Sequence, residues 1–414
     1  MNSTNKPFKV ILIMGLLTAI GPLSIDMYLP AFPAIAKSLH TQVANVTLSL
    51  SSFFIGISFG QLLYGPLLER YGRKQPLYAG LFIYFLASVG CAFAQSVNML
   101  IILRLFQAIG GCVGMVAARA MVRDLFDVKE NAKVFSLLML VVSVSPIIAP
   151  TLGGYITALL GWRYVFAMLI FIVLIILSGA YFYLPESKQP DPGYSLKPRL
   201  IVKNYASVMV NPHFITYALT GAISYSGLYA YIGGAPHVFM EIFKVSEAQF
   251  GWIFAIIAAG LIGASQVNNL VLKYYSSEQI IKAATLCQSI IGICFVALTM
   301  LGFSNLLLTV VCVFFFLVCQ GFIFPNATAL ALAPLAKNAG NASALIGAIQ
   351  MTIGACASAI VGLLQNNTAL PMSGVMTFCA ITAFTVFHLG SKIIIRNISK
   401  ATMLEEEVEM MSTM

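Results

Sequence analysis

Two residues with fully charged side chains, Asp26 and Arg104, stand inside long apolar stretches of the sequence. A carboxyl group in such surroundings can take up and release a proton, and a guanidinium beside it lowers the cost of burying its charge. At 1.5 Å per residue, Asp26 stands about 6 Å and Arg104 about 9 Å from the same end of their stretches. These depths predict contact, with Asp26 ionised when paired and protonated when the pair weakens. A permanent ion pair, or an Asp26 that stays hydrated, is the alternative.

The composition places these two residues in a membrane protein. Of the 414 residues, 59% are hydrophobic and 9% are charged, whereas soluble domains carry about 25% charged residues. The net charge of +9 comes from short clusters between apolar stretches, a pattern that sets membrane topology rather than one that binds nucleic acid. The eight cysteines form no C-x-x-C pair, so they predict neither a metal site nor a disulfide framework.

Twelve apolar runs of spanning length predict an all-α membrane protein. They are 9–29, 46–66, 76–95, 98–119, 133–157, 163–184, 213–235, 250–272, 280–301, 305–328, 342–364 and 373–395. If the N-terminus is cytoplasmic, the inner segments carry nineteen Lys and Arg residues and the outer segments carry three. This bias predicts that both termini are cytoplasmic.

The longest connection between runs divides the chain into two halves. Residues 185–212 are rich in Pro, Lys and Ser and are typical of a cytoplasmic linker. The expected domains are a six-helix bundle over 1–184, a second over 213–395, and a tail over 396–414. A six-plus-six arrangement is typical of secondary transporters, which bind substrate between the halves.

A charged stretch, Gly65–Lys74, separates the second and third runs. A loop that only sets topology needs basic residues alone, whereas this one also carries an acidic residue and glycines. It therefore predicts a tight turn with ion pairs, and Asp124 after the fourth run is a candidate partner of Arg70 or Arg73.

The fifth run contains two prolines and two glycines, namely Pro146, Pro150, Gly153 and Gly154. Small residues at this spacing allow close helix packing, which is the minimum prediction. The stronger prediction is a hinge or seal. Elsewhere, Gly110–Gly114 lies inside an apolar run and is not a phosphate loop. Neither a Walker A motif nor a cluster of metal-binding or nucleophilic side chains is present, so the sequence does not indicate an enzyme.

Several of these motifs, taken in order, resemble those of the Bcr/CflA group of drug:proton antiporters in the major facilitator superfamily. The likeness covers nearly the whole chain. It rests on Asp26-Met-Tyr-Leu-Pro30 with Pro33, Gly65–Lys74, Arg104-Leu-Phe-Gln107 with Gly110, Ala118-Arg119, Arg123-Asp124, Ser145–Gly154, Pro325-Asn326-Ala327-Thr328, Ala342-Ser343-Ala344, Gly347 and Gln350. Glu69 stands where Asp is usual and keeps the charge.

The resemblance implies twelve helices in two pseudosymmetric bundles, alternating access in a bacterial inner membrane, and export of amphiphilic compounds against proton entry. The proton gradient is then the energy source, and no cofactor or metal is expected. The expected partners are a small-molecule substrate, protons and the lipid bilayer, and the protein is expected to be a monomer. By position, the resemblance assigns proton coupling to Asp26 and Arg104. It assigns a cytoplasmic gate to Gly65, Glu69, Arg70, Gly72, Arg73 and Asp124, and a seal to Pro146, Pro150, Gly153 and Gly154.

In such folds the first, fourth, seventh and tenth helices line the cavity. Tyr225 and Tyr229 are one turn apart and can share a face, as can Phe316 and Gln320. Together with Gln350, these residues are the candidates for substrate contact, and ordinary helix packing is the alternative.

Three functions remain open on the sequence alone. The leading interpretation is a proton-coupled multidrug exporter. The second is a dedicated exporter of a physiological metabolite such as a siderophore, an amino acid or a sugar. The third is a proton-independent facilitator or a membrane sensor.

Overall fold

In the computed structural model, the backbone is described for residues 5–126 and 128–412. Side chains are described for residues 8–126, 134–135, 137–335, 338–394 and 396. The described residues form fourteen α-helices. They are α1 (Asn5–Asp26), α2 (Phe32–Ser38), α3 (Val43–Tyr71), α4 (Lys74–Ala92), α5 (Val97–Leu125), α6 (Val128–Leu160), α7 (Arg163–Tyr183), α8 (Pro198–Met209), α9 (Pro212–Ala235), α10 (Glu247–Val271), α11 (Ser277–Met300), α12 (Leu306–Leu332), α13 (Ala339–Leu363) and α14 (Leu370–Ser412).

Eleven helical segments within the described residues are long and apolar enough to span a membrane. The remaining predicted run, 213–235, corresponds to α9, whose 24 residues reach about 36 Å. α9 is less apolar because it is rich in Gly, Ser and Tyr, and most of its side chains are buried against other helices. Each of the twelve predicted runs therefore coincides over most of its length with a helix, and the chain is a multi-pass membrane protein.

Short polar residues begin several of the spanning helices. The side chains of Ser96 and Asn305 accept hydrogen bonds from first-turn amides of α5 and α12. Ser246 and Ser276 form capping boxes with Gln249 and Gln279 at the starts of α10 and α11. These caps satisfy amides that have no partner within the helix, so each helix begins at a defined residue.

The helices pack within two groups and across the boundary between them. α3 and α4 pack along α5 in the first group, and α13 and α14 pack along α9 in the second. Between the groups, α3 packs on α13 and α6 on α10. Ser58 donates a hydrogen bond to the carbonyl oxygen of Ala348 at 2.9 Å across the first of these contacts.

The segment after α7 contains a helix that the sequence interpretation did not include. α8 lies between the two groups, where Val208 is buried and the Tyr205 hydroxyl donates to the Leu62 carbonyl oxygen at 3.1 Å. We call the end of the bundle with α8 and the α3–α4 turn the basic end, and the other the opposite end. α14 continues past its apolar part to Ser412.

Candidate functional site

Asp26 lies at a break inside the first membrane-spanning segment. α1 ends at this residue, and the chain passes through a 3-10 turn, Leu29–Ala31, before it continues as α2. Pro30 and Pro33 lack the amide hydrogen that an unbroken helix needs. The whole span runs from Phe8 to Ser38, so the predicted run of 9–29 ended too early. Asp26 is thus at an interruption within the span rather than near its end.

The Asp26 side chain is 4% exposed and borders a small cavity of about 90 Å³. The other residues that line this cavity are apolar or aromatic and come from α6, α9, α10 and α12. They are Pro146, Tyr225, Leu228, Tyr231, Ile232, Phe254, Ile257, Ala258, Leu261, Ile262 and Leu317. The ion pairs found between described side chains do not include Asp26. An unpaired carboxylate is costly in such surroundings.

The predicted contact between Asp26 and Arg104 is absent, and that prediction is wrong for this conformation. Arg104 is fully buried and donates from Nη2 to the Ser24 carbonyl oxygen at 3.0 Å and from Nη1 to Gln107 Oε1 at 2.6 Å. Ser24 and Asp26 are two residues apart, about 200° around a helix. α5 therefore faces the Ser24 side of α1, while Asp26 borders the cavity with α9 and α10.

Arg104 instead stabilises the break in α1. The Tyr28 amide bonds to the Ile25 carbonyl at 3.2 Å and so leaves the Ser24 carbonyl without its usual helical partner. The Arg104 guanidinium supplies a donor to that carbonyl and lies between two rings, 4.4 Å from the centre of Tyr28 and 4.1 Å from that of Phe53. Arg104 is therefore placed to position Asp26 through the backbone.

Arg73 is the centre of a charged cluster at the basic end. Its Nε donates to Asp124 Oδ2 at 2.7 Å, and its Nη1 donates to Glu69 Oε1 at 3.0 Å. Burial lowers the pKa of Arg73, but the hydrogen bonds and charges of Asp124 and Glu69 outweigh burial and raise its pKa overall. Of the two partners predicted for Asp124, Arg73 is the one in contact. Arg70 donates instead to the Tyr194 carbonyl oxygen at 3.1 Å.

Three residues of this cluster were missed by the sequence interpretation because they come from the segment after α7. The Glu186 carboxylate accepts from the Arg73 amide at 2.7 Å and from the Lys74 amide at 3.1 Å, and so caps the start of α4. Ser187 Oγ donates to Asp124 Oδ2 at 2.9 Å, and Lys188 Nζ pairs with Glu69. The mixed charges Glu186-Ser187-Lys188 directly after the sixth run were the available signal.

Two glycines of the predicted seal allow backbone-to-backbone contact at the opposite end. Gly72, in the α3–α4 turn at the basic end, is required for a different reason: its backbone φ of 79° lies in the left-handed region, which favours glycine. A Cβ at Gly153 would lie within 3.0 Å of backbone atoms of Met27, just after the break in α1. A Cβ at Gly154 would lie 2.5 Å from the Glu247 carbonyl oxygen at the start of α10. Close packing, the minimum prediction for this motif, is therefore confirmed.

The other two residues of that motif, Pro146 and Pro150, lie inside α6, and Pro146 borders the Asp26 cavity.

The two ends of the bundle differ in how closely the helices pack. At the basic end, Gly65 lines a second and larger cavity of about 360 Å³. Because a Cβ at Gly251 would meet Pro150 and Thr151 within 3.1 Å, α6 and α10 are in direct contact towards the opposite end. This structure is therefore tightly packed at the opposite end and hollow at the basic end.

The predicted substrate-contact residues divide into two sets. Tyr225 lines the Asp26 cavity, and its ring centre is 5.5 Å from that of Tyr229. The Tyr229 hydroxyl accepts from Gln350 Nε2 at 3.3 Å. Phe316 and Gln320 do not line this cavity, because α12 places Leu317 there instead.

These two α12 side chains take part in helix packing in this conformation. Phe316 is fully buried where a Cβ at Gly227 would meet its ring within 3.0 Å. Gln320 Oε1 accepts from Ser224 Oγ at 2.6 Å and from Gln288 Nε2 at 3.1 Å. The packing alternative therefore describes both side chains here. Over the described side chains, no group of three His, Cys, Asp or Glu residues is placed to hold a metal ion.

Comparison with known proteins identifies relatives over nearly the full length. The chain is 31% identical over 377 residues to an uncharacterized MFS-type transporter, YdgK, of Bacillus subtilis, covering 91% of this chain and 93% of the relative. It is 30% identical over 390 residues to a bicyclomycin resistance protein homolog of Haemophilus influenzae, covering 94% and 97%. These matches confirm the resemblance to drug-resistance proteins of the Bcr/CflA type.

The fold is also found in solved structures. A D-xylose-proton symporter superposes with a TM-score of 0.72 at 15% identity, covering 91% of this chain and 97% of that one. This similarity confirms the all-α major facilitator fold. Residues 14–362 match the sequence profile of the Major Facilitator Superfamily. Members of this family are transporters rather than enzymes, so the family match confirms the expectation that the protein is not an enzyme. The chain belongs to the major facilitator superfamily of membrane transporters.

Proposed function

We propose that this protein exports small amphiphilic compounds in exchange for protons, by alternating access. The observation that carries the proposal is the Asp26 carboxyl at the break in α1, beside an apolar cavity bordered by helices of both groups. The similarity to a bicyclomycin resistance protein homolog supports a drug-like substrate.

In this mechanism the Asp26 carboxyl alternates between two forms. It is protonated when the cavity is empty and ionised when substrate is bound beside it. When the cavity is empty, protonation removes the cost of a buried charge. A substrate that enters beside Tyr225 and Tyr231 and donates a hydrogen bond to the carboxylate stabilises its ionised form, so that the proton is released to the open, basic end. Arg104 contributes as a positioning residue, because it holds the Ser24 carbonyl and with it the break that presents Asp26.

The moving parts are the two six-helix bundles, 1–184 and 213–395, which the segment 185–212 connects. The Gly153 and Gly154 contacts close the opposite end in this conformation. The Arg73 cluster, with Glu69 and Asp124, fixes the ends of α3, α4 and α5 at the basic end. We assign this cluster as the gate that must rearrange when the basic end closes.

The basic end is the cytoplasmic side in this proposal. The excess of Lys and Arg at this end, nineteen against three, is what the positive-inside rule requires of cytoplasmic loops. Both termini, including the tail 396–414, then lie in the cytoplasm, and the protein functions as a monomer in a bacterial inner membrane.

Drug susceptibility of a bacterium that lacks its own efflux pumps tests the proposal. Expression of the chain is expected to raise the inhibitory concentration of bicyclomycin or of chloramphenicol, since the chain is also 28% identical to a chloramphenicol resistance protein of Pseudomonas aeruginosa. Dissipation of the proton gradient should abolish the effect. Asp26→Asn is expected to remove resistance, whereas Asp191→Asn, in the exposed linker, should retain it.

Resistance that survives Asp26→Asn at equal protein abundance would contradict proton coupling through this residue. Resistance that survives collapse of the gradient would indicate a facilitator. Unchanged susceptibility to both drugs, together with a metabolite that appears in the medium only upon expression, would indicate a dedicated exporter of a siderophore, an amino acid or a sugar.

A further inference from the structure

One hydroxyl group beside the Asp26 cavity has no hydrogen-bond partner among the described residues. Tyr231 of α9 lines the cavity and is 1% exposed, yet its hydroxyl makes no hydrogen bond within this part of the chain. Buried polar groups are nearly always paired, and an unpaired one is costly. An unpaired hydroxyl on a cavity wall therefore indicates a site for a group that binds there.

The other described tyrosines that are buried as deeply differ from Tyr231 in this respect. Each of the three with an exposure below 2% places its hydroxyl between 2.6 and 2.8 Å from a polar side-chain atom. These pairs are Tyr28 with Ser49, Tyr84 with Ser24, and Tyr217 with Glu278. Tyr229, two residues before Tyr231, bonds to Gln350. The fold thus supplies partners for buried phenol groups elsewhere, and the exception lies on the cavity wall.

Two phenylalanine rings fix the position of the Tyr231 ring. Phe254 of α10 stacks on it with ring centres 5.6 Å apart, and Phe239 makes a T-shaped contact at 6.4 Å. Phe254 also lines the cavity. The Tyr231 hydroxyl is close enough to the Asp26 carboxyl for the two groups to interact electrostatically. One cavity wall therefore presents a carboxyl group and a hydroxyl group, each held by the surrounding helices.

The size of the cavity limits what these two groups bind. Its volume is about 90 Å³, whereas pockets for drug-sized ligands measure about 300–1,000 Å³. In this conformation the cavity therefore accommodates one polar fragment of such a compound. Apart from Asp26, Tyr225 and Tyr231, the residues that line it are apolar, so few other groups can bond to that fragment.

We propose that Tyr231 determines substrate specificity by donating a hydrogen bond to an acceptor on the exported compound, which also carries a donor for Asp26. This inference rests on the proposed function, because it takes the Asp26 cavity to be where that compound binds. An amide or a hydroxy-carbonyl group carries both, since its oxygen accepts from the phenol and its N–H or O–H donates to the carboxylate. The preferred substrates are then neutral amphiphiles with such a group.

Lipophilic cations that lack donors and acceptors form the contrasting class of compounds. The carboxylate of Asp26 attracts them, but they leave the Tyr231 hydroxyl unpaired. A site with a buried polar group discriminates against ligands that cannot bond to it. The proposal therefore predicts weaker binding of such cations and no dependence of their binding on the Tyr231 hydroxyl.

Binding to the purified full-length protein in detergent, measured by isothermal titration calorimetry, tests this assignment. The probes are chloramphenicol, which carries an amide and hydroxyl groups, and tetraphenylphosphonium, a lipophilic cation with neither donor nor acceptor. Tyr231→Phe should weaken chloramphenicol binding about fivefold, the usual effect of losing one neutral hydrogen bond. Tetraphenylphosphonium should bind more weakly than chloramphenicol, and Tyr231→Phe should not weaken it further. Tyr164→Phe, which removes the same atom from an exposed ring on α7, should change neither.

Thermal unfolding of the ligand-free protein separates this role from a structural one. Because the Tyr231 hydroxyl bonds to no described residue, Tyr231→Phe should not lower the melting temperature relative to Tyr164→Phe. A decrease of several degrees would show a partner within the protein and overturn the proposal.

The binding measurements overturn the proposal in three ways. These are equal chloramphenicol binding by Tyr231→Phe and the wild-type protein, equal weakening of both probes, and wild-type binding of chloramphenicol no tighter than that of tetraphenylphosphonium. None of these results contradicts proton-coupled export itself, which is tested separately by resistance that requires Asp26 and the proton gradient.

Discussion

A methyl group at Gly153 tests whether α6 packs directly on the break in α1. A Cβ at this position would lie 2.8 Å from the Met27 Cα and carbonyl carbon and closer still to the carbonyl oxygen, whereas ordinary contact begins at 3.4 Å. The two backbones must therefore separate by at least about half an ångström. Overpacking of this kind costs about 1–3 kcal/mol. Because the strain exists only while the opposite end is closed, Gly153→Ala should shift the conformational equilibrium about 5- to 150-fold towards opening of that end.

Hydrogen–deuterium exchange, followed by mass spectrometry on the protein in nanodiscs, measures this shift. Peptides that cover residues 24–38 should exchange faster in Gly153→Ala than in the wild-type protein. Gly263→Ala is the matched control, since this glycine is also helical and a Cβ there meets no atom within 4 Å. Unchanged exchange in a folded Gly153→Ala protein, or an equal increase in Gly263→Ala, would refute the direct contact.

Two further substitutions test the supports of the site. Arg104→Gln should lower the free energy of unfolding by about 1.5–3 kcal/mol, because the buried Ser24 carbonyl loses its charged donor. Thermal unfolding in detergent should show a decrease that Arg199→Gln, at an exposed position on α8, does not share. Glu186→Gln should destabilise the protein by about 1 kcal/mol, because the charged cap on α4 is weakened. A melting temperature equal to that of Asp191→Asn would contradict this role.

The sequence was sufficient for the fold because hydropathy reports directly on burial in lipid. The apolar runs predict the spanning helices close to where the structure has them, and the caps at Ser96 and Ser246 fix the starts of α5 and α10. The first span was drawn too short because hydropathy does not show that a chain resumes a helix after Pro30. Whether a break is tolerated depends on a donor for the freed carbonyl, and that donor, Arg104, is 80 residues away from Ser24.

The pairing of charges was the least predictable property of the site. Depth in the membrane suggested that Asp26 and Arg104 meet, but depth carries no information about which side of a helix faces which neighbour. The same limit applies to Phe316, whose spacing from Gln320 indicated a shared face but not that this face packs on α9 and α11.

The contacts of the segment after α7 could not be predicted from the sequence for a related reason. Glu186, Ser187 and Lys188 bond to groups more than 60 residues away in sequence. A charged stretch of this kind is ordinarily solvated, and only the folded arrangement of α3, α4 and α5 brings Glu69 and Asp124 within its reach. The sequence therefore predicted that Asp124 pairs with Arg70 or Arg73 within one bundle, but it predicted neither which of the two arginines is in contact nor the residues that complete the cluster.

The measurement closest to the central claim is proton movement caused by substrate in energised everted membrane vesicles. The compound to which expression gives the greatest resistance is added while a pH-sensitive dye reports the acidity of the vesicle interior. The account predicts that the compound releases protons from vesicles with the wild-type protein or Asp191→Asn, and releases none from vesicles with Asp26→Asn. Equal proton release with Asp26→Asn, at equal abundance of the protein, would contradict it.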